Sequence, residues 1–268
     1  RLFEVTGVQT CALPIYYIED YLQEKEISTD FIEVPGMTRI NVFTQVNQTK
    51  EEYKLVNQGP EIPQEKVEVF LDQIRNLQAE DYLCISGSLP RGIESTILVD
   101  ISRICQERDV HLIIDSSYKE IMDCLPYHPF ILKPNEEELA SWFGEIIDSE
   151  EAYLFYGQQL IKAGAQNVLL SLGSGGAIFF SQTKIIRGNS PIGKVVNTAC
   201  AGDTLLGTFL AGYLTEQPLE ETLRKSLAAG SSTAFRKGLT DFSDVQELSK
   251  QIEVKEEGLK DRKSTRLN

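Results

Sequence analysis

Asn197-Thr198-Ala199-Cys200-Ala201-Gly202-Asp203-Thr204-Leu205-Leu206-Gly207-Thr208 sets small residues and one acid directly ahead of an apolar run. Leu205, Leu206, Phe209, Leu210 and Tyr213 recur at i, i+3 and i+4 spacing, which predicts a helix with one buried face. Upstream, Lys194-Val195-Val196 reads as the end of a strand. Strand, small-residue turn and helix make an anion site, because first-turn amides lack intrahelical partners and the helix dipole is positive there. Ala199, Ala201 and Gly202 keep the approach open. Asp203 either caps those amides or accepts the proton of a hydroxyl attacking a phosphate held beside it. The stretch by itself leaves both roles open.

Outward from this stretch the chain alternates regularly. Strands are expected at Tyr82–Ile85, Val110–Ile114, Phe130–Leu132 and Asn167–Leu170. Helices are expected at Gln64–Leu77, Glu94–Glu107, Tyr118–Cys124, Glu136–Phe143 and Glu151–Ala163. Apolar strands alternating with helices make an α/β fold, a mostly parallel sheet covered on both faces, whose ligands sit beyond the carboxyl ends of the strands. Residues 86–92, Asp115-Ser116-Ser117, Lys133-Pro134-Asn135 and 171–176 occupy those ends, and all are polar or Gly-rich. A hairpin follows at Ala177–Phe180 and Lys184–Ile186, and a further helix at Leu219–Arg236. Earlier in the chain, a helix at Tyr16–Glu26 precedes short strands at Phe31–Val34, Thr38–Val46 and Tyr53–Val56. The last two read as an antiparallel hairpin, a small flap bearing Arg39 and Lys54.

The 268 residues are 41% hydrophobic and 25% charged, with a formal net charge of -14. That length suits one large domain, and the charge argues against a nucleic-acid or anionic-membrane partner. Five scattered Cys without a CxxC pair fit a reduced, cytoplasmic chain, and no apolar run is long enough to span a membrane. His111 and His128 lack nucleophile or metal spacing and read as structural. Neither GxxxxGK[ST] nor a strand-to-helix GxGxxG is present.

The motifs, in order and spacing, resemble the phosphofructokinase-B (ribokinase-like) sugar kinases. Cys200-Ala201-Gly202-Asp203 matches a signature whose usual core is Gly-Ala-Gly-Asp. Thr38–Val42, Gly59–Ile62, Ser86-Gly87-Ser88-Leu89-Pro90, Asp115-Ser116-Ser117, Lys133–Leu139, Ser171-Leu172-Gly173 and Ala228–Ser231 agree with the family pattern. Within the family the likeness is greatest to enzymes that phosphorylate fructose 1-phosphate to fructose 1,6-bisphosphate, with tagatose-6-phosphate kinases next. The resemblance implies a three-layer fold with a β lid, ATP and Mg²⁺ as cofactors, and a phosphosugar as the other substrate. It makes Asp203 the proton acceptor, with Cys200, Ala201 and Gly202 around the anion hole. Asn135 and Glu138 match an N-x-x-E motif that organises Mg²⁺, indirectly, and the nucleotide phosphates; as a bare pair they are a helix start with an exposed acid. Ser171, Gly173 and Gly176 would line the ATP groove, and Leu227 and Gly230 its adenine side. Arg39, Lys54 and Ser88, together with Asp203, would bind the phosphosugar, and the flap would serve as lid and homodimer surface.

Cys200 departs from the family by placing a Cβ where Gly stands. The resemblance covers residues 16 to about 238, within a kinase domain expected at 16–262 with the lid around 31–62, while 1–15 and 263–268 look like non-native, adapter-like sequence with no folded element. On this reading the family's amino-terminal strand and sugar-hydroxyl ligands are missing and the chain is marginal in stability and activity. A chain that binds nucleotide without catalysis, as an inactive or regulatory module, is the reading from another class.

Overall fold

The computed structural model describes residues 4–10, 13–45, 52–55 and 57–258, with side chains from residue 18 onward except 43–45 and 52–54. The chain divides into two compact units, Arg1–Leu83 with Gly87–Leu112, and Cys84–Ser86 with Ile113–Asn268.

In the first unit β1 (Glu4–Thr10) pairs in parallel with β2 (Ser28–Val34), joined through α1 (Leu13–Glu24). Residues 1–15 therefore do carry a folded element, against the expectation from sequence. Val5, Thr6, Val8 and Thr10 are β-branched, and that stiffness favours an extended backbone even without strict alternation. The flap is the antiparallel pair β3 (Val42–Gln45) and β4 (Glu52–Leu55), with Phe43 opposite Lys54. It is shorter than the expected Thr38–Val46, because a ladder reaches only as far as its four-residue partner. Arg39 thus precedes the strand, and Val46 to Glu51 and Val56 lie outside the described residues. α2 (Gln64–Arg75) buries Val67, Leu71 and Ile74 at i, i+4, i+7 spacing, and packs on β2 and on α3 (Ile97–Glu107).

The second unit holds most of a seven-stranded sheet. Its members are β5 (Tyr82–Ser86), β6 (His111–Asp115), β7 (Ile131–Leu132), β8 (Asn167–Ser171), β9 (Ala177–Ser181), β10 (Ile185–Gly188) and β11 (Val254–Glu257), adjacent in that order. β6, β7 and β8 run parallel, while β9, β10 and β11 are antiparallel additions. The first four residues of β8 and of β9 are all buried, as strands covered on both faces must be. One face carries α7 (Ala201–Leu214) and α8 (Leu219–Ala234), whose Leu205, Leu206, Phe209, Leu223 and Leu227 pack with Ile113, Ile131, Leu169, Phe179 and Ile186. The other carries α6 (Glu150–Ala163), where Gly157 makes room for the Phe180 ring. Phe179, Phe180 and Phe209 are fully buried, each worth about 2–3 kcal/mol of transfer free energy.

α4 (Ile121–Cys124) and α5 (Glu136–Phe143) complete the parallel part. α9 (Val245–Ser249) and β11 carry too weak a periodicity to read in sequence; β11 is short and has only its inner neighbour β10 for a partner. Lys194-Val195-Val196 is not a strand. Among the described residues no strand flanks it, and the amides of Val196 and Asn197 instead share the Ala234 carbonyl at 2.8 and 3.1 Å. Among the described residues no helix is long and apolar enough to cross a membrane.

The turn after β8 is fixed by backbone contact. Gly176 has φ +91°, and an added Cβ would stand 1.9 Å from the Gly188 carbonyl oxygen on β10. Gly176→Ala is expected to lower stability by about 2 kcal/mol or more, read as the urea midpoint. A wild-type midpoint would mean the turn is not packed against β10.

Candidate active site

The carboxyl ends of β6 and β7 deliver Asp115 and Lys133. Lys133 Nζ lies 3.0 Å from Asp115 Oδ1, with side-chain exposures of 6% and 12%, so the lysine is buried and its partner nearly so. An ammonium is tolerated there only with a countercharge and aligned donors. Desolvation raises the Asp115 carboxyl above its ordinary range, as do Asp203 and Glu138, while Lys133 pulls it back. A Cβ added to Gly202 would stand 3.4 Å from Lys133 Nζ, which places this ammonium beside the first turn of α7. On β5, desolvation pushes the Cys84 thiol up to about 11, reinforced by Asp115 and Asp203 and opposed by Lys133. Asp115, Lys133, Glu138, Asp203 and Cys84 are therefore one electrostatic neighbourhood, three carboxyls around one ammonium.

α7 enters this neighbourhood by its amino end. Cys200 is its N-cap at φ +62° and ψ 5°, the left-handed conformation that favours glycine. Thr204 Oγ1 donates to the Cys200 carbonyl at 2.9 Å and meets Thr233 Oγ1 of α8 at 3.0 Å. The Ala201 amide is taken by the Thr198 carbonyl at 3.2 Å, and Ala199 donates to Asn197 Oδ1 at 3.0 Å. The Thr204 amide is taken by the Cys200 carbonyl at 2.9 Å, so an anion at this turn would meet the amides of Gly202 and Asp203 more readily than that of Ala201. Asp203 is exposed beside them. Gly230 lets α8 come close, since a Cβ there would lie 3.0 Å from the Ala201 carbonyl oxygen.

Asn135 caps α5 through a full capping box: its Oδ1 accepts from the Glu138 amide at 2.8 Å, and Glu138 Oε2 accepts from the Asn135 amide at 2.9 Å. Ser171 adjoins the same corner, its amide donating to the Pro134 carbonyl at 3.0 Å and its hydroxyl at 3.3 Å. Gly173 follows at φ +49°, with Glu136 Oε2 4.0 Å from where its Cβ would be. Glu136 in turn accepts from the Tyr153 hydroxyl at 2.7 Å. Leu227 is buried in the core and reaches the Gly188 backbone. In the first unit, Arg39 holds Ser88 by Nη1 to Oγ at 2.8 Å and Nη2 to the carbonyl at 3.2 Å, and makes no ion pair among the described residues. The Lys54 side chain lies outside the described residues.

A family model described as pfkB family carbohydrate kinase matches residues 16–246. The chain belongs to the pfkB family of carbohydrate kinases. It is 41% identical over 239 residues to a D-tagatose-1-phosphate kinase of Bacillus licheniformis, and 35% identical over 238 residues to a 1-phosphofructokinase of Bacillus subtilis. Each alignment covers 89% of this chain and 78% of the relative. Among solved structures, one from Staphylococcus aureus assigned to the phosphofructokinases superimposes with a TM-score of 0.83 at 31% identity, covering 95% of this chain and 82% of that one.

In this pfkB chain sequence reading gave no role to Lys133, although it stood in a polar run after a strand; the signal available was a lysine directly following an apolar strand that had to be buried. Among the described residues no group of three or more His, Cys, Asp or Glu is arranged to hold a metal directly. The capping box takes up Glu138 Oε2, and Glu138 and Asp203 both raise the Asp115 carboxyl, so the oxygen donors of this neighbourhood are of the kind a hard cation takes. Cys200→Gly is expected to raise stability by up to about 1 kcal/mol, because glycine adopts the N-cap conformation without the Cβ clash. Chemical denaturation checks it, and an unchanged or lower midpoint would contradict the left-handed N-cap.

Proposed function

We propose that the chain transfers the γ-phosphoryl group of ATP to a hydroxyl of a 1-phosphorylated ketohexose, fructose 1-phosphate giving fructose 1,6-bisphosphate. The observation that carries this reading is the buried Lys133 ammonium beside Gly202, at the start of the helix that presents Asp203. A helix start, an adjacent fixed cation and an acid one residue on provide what phosphoryl transfer requires, namely charge neutralisation and a group that orients the acceptor. D-tagatose 1-phosphate is the second reading, favoured by the 41% identical relative of that name. It differs from fructose 1-phosphate only in the configuration of one carbon.

Lys133 and the amides of Gly202 and Asp203 hold the γ-phosphate, while the Asp203 carboxylate accepts the proton of the acceptor hydroxyl. As that oxygen bonds to phosphorus, the bond to the bridging oxygen of ADP breaks. Asn135, Ser171, Gly173 and Gly176 shape the groove for the other phosphates and the ribose, with Leu227 and Gly230 supporting its adenine side from within the packed helices. Mg²⁺, when bound through water near Glu138, neutralises charge on the nucleotide phosphates. Arg39, set by Ser88, and Lys54 meet the phosphate of the sugar. The flap acts as lid and homodimer surface, for which the exposed Ile40, Val42 and Leu55 speak. The enzyme works in the cytoplasm, a reading supported by cysteines 84, 105, 124 and 200, all free of disulfides.

The test is phosphosugar-dependent ADP release from the full chain with fructose 1-phosphate, tagatose 1-phosphate, fructose 6-phosphate and tagatose 6-phosphate. The 1-phosphates are expected to be preferred. Asp203→Asn should lower turnover about 10²–10⁴-fold with ATP binding kept, and Arg39→Ala should raise KM for the sugar and leave that for ATP unchanged. Nucleotide binding without any sugar-dependent ADP release would instead support a non-catalytic module.

A further inference from the structure

The ends of β7 and β8 away from Lys133 and Ser171 border a second concavity, a cavity of about 550 Å³ in the range of small-molecule sites. Its rim is built from Phe130 just before β7, Asn167 opening β8, Ser181 closing β9, and Gln182 and Thr183 in the turn to β10. Tyr213, near the carboxyl end of α7, forms the wall on the helical face. The walls are stitched together: Gln166 Nε2 donates to the His128 carbonyl at 3.0 Å, and Asn167 Nδ2 donates to the Phe130 carbonyl at 2.9 Å. Gly164 fixes the floor at φ +136°, where a Cβ would stand 2.1 Å from the Leu125 carbonyl oxygen. The cavity is therefore held open by hydrogen bonds and backbone contact.

Its chemistry is unlike that of the phosphate-facing end. Among the described residues no Asp, Glu, Lys or Arg lines it, in a chain one quarter charged, and the His128 imidazole on its lining has Nδ1 3.1 Å from the Gly164 carbonyl. Neither a phosphate nor a cation would find a permanent countercharge there, and burying either uncompensated is costly. The side-chain amides of Gln166 and Asn167 donate to backbone through nitrogen, which leaves their oxygens as acceptors; Gln182 adds a third amide, and Thr183 and Tyr213 add hydroxyls that serve either way, while the Ser181 hydroxyl is taken up by the Lys184 backbone. The Phe130 and Tyr213 rings, edge to face at 5.7 Å, supply an apolar surface. A ring with hydroxyls on its rim and C–H groups on its face matches all of these features. We propose that this cavity binds an unphosphorylated sugar, at a site separate from the phosphoryl-transfer centre and independent of how that centre is read.

Saturation-transfer NMR on the full chain, with D-fructose, D-tagatose and D-glucose as probes, tests it. At least one should bind with a Kd of about 1 mM or tighter, and ADP with fructose 1-phosphate should not displace it. Thr183→Trp fills the cavity from an exposed turn and should abolish the transfer. Tyr213→Phe keeps the ring and removes one hydrogen bond, and should weaken binding about 3- to 10-fold. Tyr213→Phe stays decisive if the Trp variant misfolds. No transfer from any of the sugars, displacement by ADP with fructose 1-phosphate, or wild-type binding by Tyr213→Phe would overturn the proposal.

Discussion

The buried pair of Lys133 with Asp115 is the constraint on which the candidate centre depends. Removing one partner of such a pair leaves an uncompensated charge and costs about 3–5 kcal/mol, yet replacing both by apolar residues is often neutral. Stability alone therefore does not account for an ion pair at this place. Its surroundings do. Asp203 and Glu138 add two further carboxyls to the same neighbourhood, so one ammonium stands among three carboxyls and further positive charge is favoured there. The Mg²⁺ that the proposed nucleotide would bring is charge of that kind.

Close backbone approaches bring the elements around this pair together. Gly230 admits α8 against the first turn of α7, and Gly176 lays the turn after β8 on β10. The Asn135–Glu138 capping box rigidifies the start of α5 at the same strand ends. The capping box uses one carboxylate oxygen of Glu138 to close the helix, which is compatible with the role proposed for the other. The centre is thus built on helix starts and strand ends.

Much of this was legible in the sequence because periodicity and punctuation agree locally. α5 falls where Asn135 and Gly144 bracket it, and the apolar runs of β8 and β9 announce strands covered on both faces. Asp203 stood out as the acid at a small-residue boundary ahead of a helix, and the runs holding Asn135 and Ser171 by their place after strands, while the roles expected of Cys200, Asn135 and Ser171 came from the family resemblance. What stayed hidden depends on three-dimensional pairing. Lys133 looks like an ordinary surface lysine until burial and Asp115 are seen together, and the left-handed N-cap at Cys200 cannot be read from a residue type that usually avoids it. Val195 and Val196 have strand propensity but no neighbouring strand, whereas Val254–Glu257, largely charged, has β10 beside it.

The most direct test of the account is the double variant Lys133→Met/Asp115→Asn, measured for thermal unfolding and for phosphosugar-dependent ADP release. If the pair serves the phosphoryl group, the double variant melts close to wild type while turnover falls by about 10²-fold or more. A double variant that turns over within about tenfold of wild type would contradict the placement of the transferred phosphate beside Lys133.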